Sequence, residues 1–289
     1  MRKITFILAV VLLAACSLEP AVTAPAAPPH RPQILVTNDD GIDAPGIIAL
    51  AAALKPLGEV VVVAPAKNQS GASHSITILA GMSGVLPVMR DGALFGHAVP
   101  GTPADSVLAG LYWLYKDTKF DVVVSGINRG SNVGNGAYYS GTVGAAMQGA
   151  LGNIPGIAFS QDLALKEDYS RSAHISARIV EQILKHGLPP QSYWNVNIPA
   201  GELKGIKVLP ASGDYYVLDH IETTGNATDG STGIKPKMKI GTEFPAGSDT
   251  EAYAQGWVTI APLSLDITDH AQVRAIDRWK LELPAGGNP

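Results

Sequence analysis

Three times along this chain a short run of apolar residues stops on a turn rich in Asn, Asp, Ser or Gly. Ile34-Leu35-Val36-Thr37 ends on Asn38-Asp39-Asp40-Gly41. Residues 60–64 end at Pro65, ahead of Asn68-Gln69-Ser70-Gly71, and Val122-Val123-Val124 ends on Ser125-Gly126-Ile127-Asn128. Between the first two lies a helical stretch, residues 46–55, with Pro45 at its entrance and Pro56 and Gly58 past its end. Strand, helix and strand within about 30 residues form a βαβ unit, whose strands are parallel and whose crossover is right-handed. Near-continuous Val, Ile and Leu is the pattern of strands covered on both faces. The spacing predicts further helices over 143–151 and 172–186, with a short apolar run at Ile157-Ala158-Phe159 between them. The fold class is therefore α/β, a mostly parallel sheet flanked by helices. Beyond about residue 200 the alternation is lost. An irregular antiparallel extension is expected to about 270, with 211–250 as an excursion and a closing helix at about 270–280.

The amino terminus follows a different logic. Arg2 and Lys3 precede an apolar run, 4–15, that is too short to span a bilayer and reads as the leader of an exported protein. Leu13-Ala14-Ala15-Cys16 is similar to a lipobox, and Cys16 is the only cysteine in the chain. Acylation of Cys16 is expected, giving a periplasmic lipoprotein held at a bacterial membrane, in all expectation the outer one. Residues 17–32 carry five prolines among Ala, Thr and Val, an extended tether. The folded domain is read as 33–283, with its core at about 33–200. One cysteine excludes internal disulfides and CxxC sites. A net charge of -4 lacks the basic footprint of a nucleic-acid binder, so no nucleic-acid polymer is expected as partner, and contact with the membrane is expected through the lipid alone.

In open α/β sheets ligands bind at the carboxyl ends of strands, where the three polar clusters lie. Asp39 and Asp40 are adjacent there, and two ionised carboxylates repel unless a cation neutralises them. With Ser and Asn oxygens close by and no clustered His or Cys, the set suits one hard divalent ion, Mg²⁺ or Mn²⁺. The same residues could also simply cap a helix entry. Tyr139-Ser140-Gly141-Thr142-Val143-Gly144 opens a helix, where Ser140 or Thr142 can cap while neighbouring N–H groups receive an anion, most often phosphate. A phosphate cradle beside a hard-cation site suggests metal-assisted phosphoester hydrolysis. GxGxxG, P-loop, HExxH and GxSxG motifs are all absent from the sequence. His74 and His97 stand isolated.

Taken together these stretches resemble the SurE family of survival-protein 5′/3′-nucleotidases. The likeness runs through residues 34–42, Ser70-Gly71-Ala72-Ser73-His74-Ser75, Gly101-Thr102-Pro103-Ala104-Asp105, 121–132 and 139–149. It continues in Trp194-Asn195-Val196-Asn197-Ile198-Pro199 and residues 256–263. The resemblance implies a Rossmann-like core, a nucleoside monophosphate substrate, and a homodimer or homotetramer exchanging C-terminal segments. It implies Asp39, Asp40, Ser70 and Asn128 as metal ligands, with Asp39 or Asp40 also acting on the attacking water. Asn38, Asn132 and the Ser140-Gly141-Thr142 turn would receive the phosphate. A broad acid phosphatase or exopolyphosphatase on the same site, or a non-catalytic nucleotide-binding lipoprotein, are the alternatives. The chain departs from the family pattern at Ala66 and Gln69, at Asn135-Gly136-Ala137, where an acidic pair is usual, and at Thr250-Glu251, read in place of Thr-Asp.

Overall fold

The computed structural model describes residues 30–189, 191–226 and 230–281. The leader, Cys16 and most of the tether lie outside them. The domain is built in chain order from β1 (Gln33–Thr37), α1 (Pro45–Leu54), β2 (Glu59–Pro65), β3 (Leu86–Arg90), β4 (Ala93–Val99) and α2 (Pro103–Ala109). It continues with β5 (Val122–Arg129), α3 (Gly141–Leu151), β6 (Gly156–Gln161), α4 (Ser170–His186), β7 (Ser192–Ile198) and β8 (Ile206–Val208). The last elements are β9 (Tyr216–Asn226), β10 (Thr232–Ile240), α5 (Asp249–Ala254), β11 (Val258–Ser264) and α6 (His270–Asp277).

One sheet runs in the order β3-β4-β2-β1-β5-β6-β7-β11-β8. From β4 to β7 the neighbours are parallel, whereas β3 runs antiparallel to β4 and β11 antiparallel to β7, with β8 parallel to β11 at the edge. Its central strands are apolar on both faces because helices cover both. Ile34, Val36, Val122, Val124, Ile157 and Phe159 pack with α1 and α4, while Leu35, Val63 and Val123 pack toward α2 and α3. The chain leaves β1 to build β2 and β4 on one side, then crosses to β5 and builds β6 and β7 on the other. The switch point is therefore the β1–β5 pair, which ends on the first and third polar clusters.

The predicted helices are present and begin slightly earlier than expected. Gly141 and Thr142 join α3 because Ser140 caps it by accepting from Val143 N–H. The edge pair β3–β4 and helix α2 were not foreseen. β3 is largely exposed and carries Pro87, and β4 carries Gly96, so neither gives a clean apolar run. The expected antiparallel extension is present as the β9–β10 hairpin, while β8 and β11 join the main sheet, β11 running antiparallel to β7.

Candidate active site

Asn38, Asp39 and Asp40 follow β1 directly. The second cluster is laced to this turn, as Gln69 N–H donates to Asp39 O (2.7 Å) and Ile42 N–H to Pro65 O (2.8 Å). It is laced equally to the third element, as Ser73 N–H donates to Tyr139 O (3.2 Å) and the Ser73 hydroxyl to Tyr138 O (2.5 Å). The approach is so close that a Cβ on Gly144 would lie 2.4 Å from the Ser73 carbonyl. On the other flank a Cβ on Gly141 would meet the Asp39 side chain, 3.0 Å from its Cβ and 3.2 Å from Oδ2. Glycine at these two positions thus lets α3 start against both the acidic turn and the serine loop.

The structure brings Asp39, Asp40 and Asn128 together at the β1–β5 end. Asp39 is only 3% exposed. Its carboxyl is pushed up to about 6, chiefly by burial, with the neighbouring Asp40 charge adding and hydrogen bonds from Thr142 pulling back. The Thr142 hydroxyl donates to Asp39 Oδ1. Asp40 is also raised by burial, partly offset by Arg129. It accepts at both oxygens, from Asn68 Nδ2 (3.2 Å) and from Arg129 N–H (2.9 Å). Asn128 spends its amide nitrogen on Gly130 O (2.7 Å), which leaves the side-chain oxygen as its remaining donor to a cation. Ser70 sits on the exposed second loop, its N–H held by Asn68 Oδ1 (2.9 Å).

These residues fit a hard cation. A buried and a half-buried carboxylate side by side, both shifted toward the neutral form, are the arrangement a divalent ion reverses. Among the described residues no group of three or more His, Cys, Asp or Glu could hold a metal, so the other donors must be neutral oxygens such as those of Asn128 and Ser70. That composition suits Mg²⁺-type ions rather than zinc.

The residues expected at phosphate are more constrained than the sequence suggested. The Ser140 hydroxyl is taken up in capping α3 and the Thr142 hydroxyl in holding Asp39. Asn38 is buried, donates to Gly41 O (2.8 Å) and keeps Oδ1 without a partner. Asn132 donates from its side chain to Ser160 Oγ (2.9 Å) and from its backbone to Asn197 Oδ1 (2.7 Å), while Asn195 Nδ2 donates to Asn132 O (2.8 Å). The Asn195-Val196-Asn197 stretch on β7 thus holds the loop after β5.

Three structural carboxylates or neighbours were not assigned roles from sequence. Asp105, fully buried, accepts from Thr77 N–H and Oγ1, Ile78 N–H and Thr102 N–H, which fixes the end of the serine loop to α2. Burial alone would raise it, yet these donors hold it below the ordinary carboxylate range. In the C-terminal turn the buried acid is Asp249, not Glu251. Asp249 accepts from Gly134 N–H (2.9 Å) and Ser212 N–H (3.1 Å), and Glu251 instead donates its backbone N–H to the capping Ser248. Tyr169, raised to about 12 by burial and by Asp40, is the buried phenol closest in electrostatic terms to the acidic turn.

The family described as Survival protein SurE matches residues 34–217. The chain belongs to the SurE family. A protein named 5′-nucleotidase SurE from Chlorobium luteolum is 36% identical over 259 residues, covering 88% of this chain and 98% of its own. Its namesake from Vibrio cholerae is 38% identical over 253 residues, covering 86% and 98%. The crystal structure of a SurE protein from Aquifex aeolicus aligns with a TM-score of 0.73 at 36% identity, over 86% of this chain and all of that one. The SurE match spans β1 to the start of β9 and so includes every residue placed at the site above.

Proposed function

We propose that this SurE protein is a divalent-metal-dependent phosphomonoesterase that releases inorganic phosphate from nucleoside 5′- or 3′-monophosphates. The observation that carries the reading is the pair of buried Asp39 and half-buried Asp40 at the switch point, to which Arg129, beside Asp40, is the one neutralising cation among the described residues. The relatives named 5′-nucleotidase support the substrate class. A bound Mg²⁺ or Mn²⁺ would supply Lewis-acid charge to the phosphate and acidify a water. Asp39, Asp40, Asn128 and Ser70 are the residues to hold it.

The chain's own part follows from its hydrogen bonds. Asp40 has both oxygens occupied, whereas Asp39 accepts its side-chain bond, from Thr142, at Oδ1. We assign to Asp39 the proton of the attacking water. That water's oxygen bonds to phosphorus as the ester P–O bond breaks, and the leaving alkoxide takes up one proton from solvent to depart as the nucleoside alcohol, Asp39 releasing the proton it accepted afterwards. The amino end of α3, at Gly141, is the part that receives the phosphate, while Asn38 and Asn132 hold the flanking loops through Gly41, Ser160 and Asn197. The exposed apolar side chains of the β9–β10 hairpin and α6, among them Leu218, Ile234, Met238 and Val273, support assembly with a second copy. Acylation at Cys16 and a periplasmic, outer-membrane address complete the reading.

The test is phosphate release from a panel of nucleoside monophosphates, other monoesters and polyphosphate. EDTA should abolish release and Mg²⁺ or Mn²⁺ restore it, with nucleotides turned over fastest. Tight nucleotide binding without release under any divalent ion would instead leave a binding protein. For the anchor, membrane fractionation should lose the Cys16→Ala chain to the soluble fraction.

A further inference from the structure

Along α2 the surface carries an apolar patch that runs from Ile78, held to Asp105 at the start of the helix, to Tyr112 and Trp113 past its end. Trp113 is 60% exposed, Tyr112 64% and Leu79 85%. With Ile78, Met82 and Val85 they line a groove of about 580 Å³. Helix α2 starts at the carboxyl edge of the sheet, because Thr102 follows β4, whose Val99 pairs with Pro65 at the end of β2. The helix then runs back over the sheet into a π-helical turn, Gly110–Leu114. A Cβ on Gly110 would lie 3.2 Å from the Leu35 methyls, so this turn packs directly on β1. The chain next enters β5 beside the first residue of β1, where Asp121 N–H donates to Gln33 O (2.9 Å) and Gln33 N–H to Asp121 Oδ2 (2.8 Å). Tyr112 and Trp113 therefore lie toward the amino edge of the sheet, the edge at which the tether delivers the chain.

We propose that this patch rests on the bilayer surface when the protein is anchored. The inference depends on the lipid-anchor reading. The tether from Cys16 to Gln33 is Pro-rich, and at about 3.1 Å per residue it reaches about 50 Å at most, which holds the amino edge within contact range of the membrane. The occupant is chosen by chemistry as well. A Trp and a Tyr side by side, amphipathic at the indole N–H and phenol O–H, are the residues that settle at the headgroup level. Lys116 and Lys119 follow at once, exposed, and Lys116 is paired with Asp117. Long stems of this kind carry their charge out to lipid phosphates.

The experiment uses the lipidated full chain reconstituted in phosphatidylethanolamine–phosphatidylglycerol vesicles, with and without brominated acyl chains. Tryptophan emission should be quenched by the brominated lipid in the wild type, and most of that quenching should vanish in Trp113→Phe while phosphate release is unchanged. Equal quenching in both proteins would place another tryptophan at the membrane and overturn the proposal. So would a Tyr112→Ser/Trp113→Ser chain of smaller assembled mass whose parent is unquenched, since the patch would then be an interface between copies. An anchored chain with no quenching overturns the docking alone. A wild-type chain recovered wholly in the soluble fraction overturns the anchor and the docking with it.

Discussion

Asp39 and Asp105 are both buried carboxylates close to the start of a helix, and the protein treats them in opposite ways. Asp105 collects donors from Thr77, Ile78 and Thr102 and closes a capping box on α2. Its charge is satisfied by the chain itself, and its carboxyl is held low. Asp39 receives the Thr142 hydroxyl, carries Asp40 beside it, and is held high. The difference teaches how to tell a structural acid from a working one. A structural acid is surrounded by donors, whereas a working acid is buried with its demand only partly met, so that a ligand completes it.

The sharpest way to break this contrast is to remove the charge at each place. Asp39→Asn keeps the shape and the acceptor for Thr142, so the fold should persist while turnover falls by about 10³-fold or more, the scale of losing an anionic metal and proton-transfer group. Phosphate release and circular dichroism on the same sample read both halves. An active Asp39→Asn enzyme would remove Asp39 from the chemistry.

The second contrast is in pH. Asp39 has a folded value of about 6 against an ordinary 3.8, so the folded chain binds more protons than the unfolded one between those values. In chelator, stability should therefore fall as pH rises from about 4 to 6, by about 3 kcal/mol. Asp40, raised likewise, acts with the same sign. Asp105 has the opposite sign, and its contribution is lost only as pH falls below the ordinary carboxylate range. Urea titrations across pH should show the first slope flattened in Asp39→Asn and cancelled in the wild type by Mg²⁺ at neutral pH.

Asp105→Ala should cost about 2 kcal/mol, from the lost cap and the backbone donors left unpaired. Its denaturation midpoint should drop at pH 7 whether or not metal is present. The smallest effect is expected at Ser70, a neutral donor on an exposed loop. Ser70→Ala should weaken metal affinity about tenfold, or 1.4 kcal/mol, with turnover recovered at saturating metal. Calorimetric titration with Mn²⁺ would show it.

Much of this was legible before any coordinates. The apolar runs of β1, β2, β5 and β6 have no surface-facing positions to disguise them, and the acidic turn must fall where β1 ends. The hairpin β3–β4 was hidden because an edge pair with Pro87 and Gly96 buries too little to leave a pattern. At the site, Asp39, Asp40 and Asn128 follow from strand ends alone. What could not be read was the division of labour. That Thr142 serves Asp39, that Asn195 and Asn197 hold the loop after β5, and that Asp249 rather than Glu251 is the buried acid all depend on contacts between residues far apart in sequence. Glycines 141 and 144 signal those approaches only once α3 is placed.

The chain joins the sheet at Gln33 and reaches Asp39 after a single strand, which crosses the domain from its amino to its carboxyl edge. The point where the described chain joins the sheet is thereby separated from Asp39 by the length of β1, about 17 Å for a five-residue strand. Chain entry and acidic turn occupy opposite ends of one strand, so a change of sequence at the entry can leave the turn where it is.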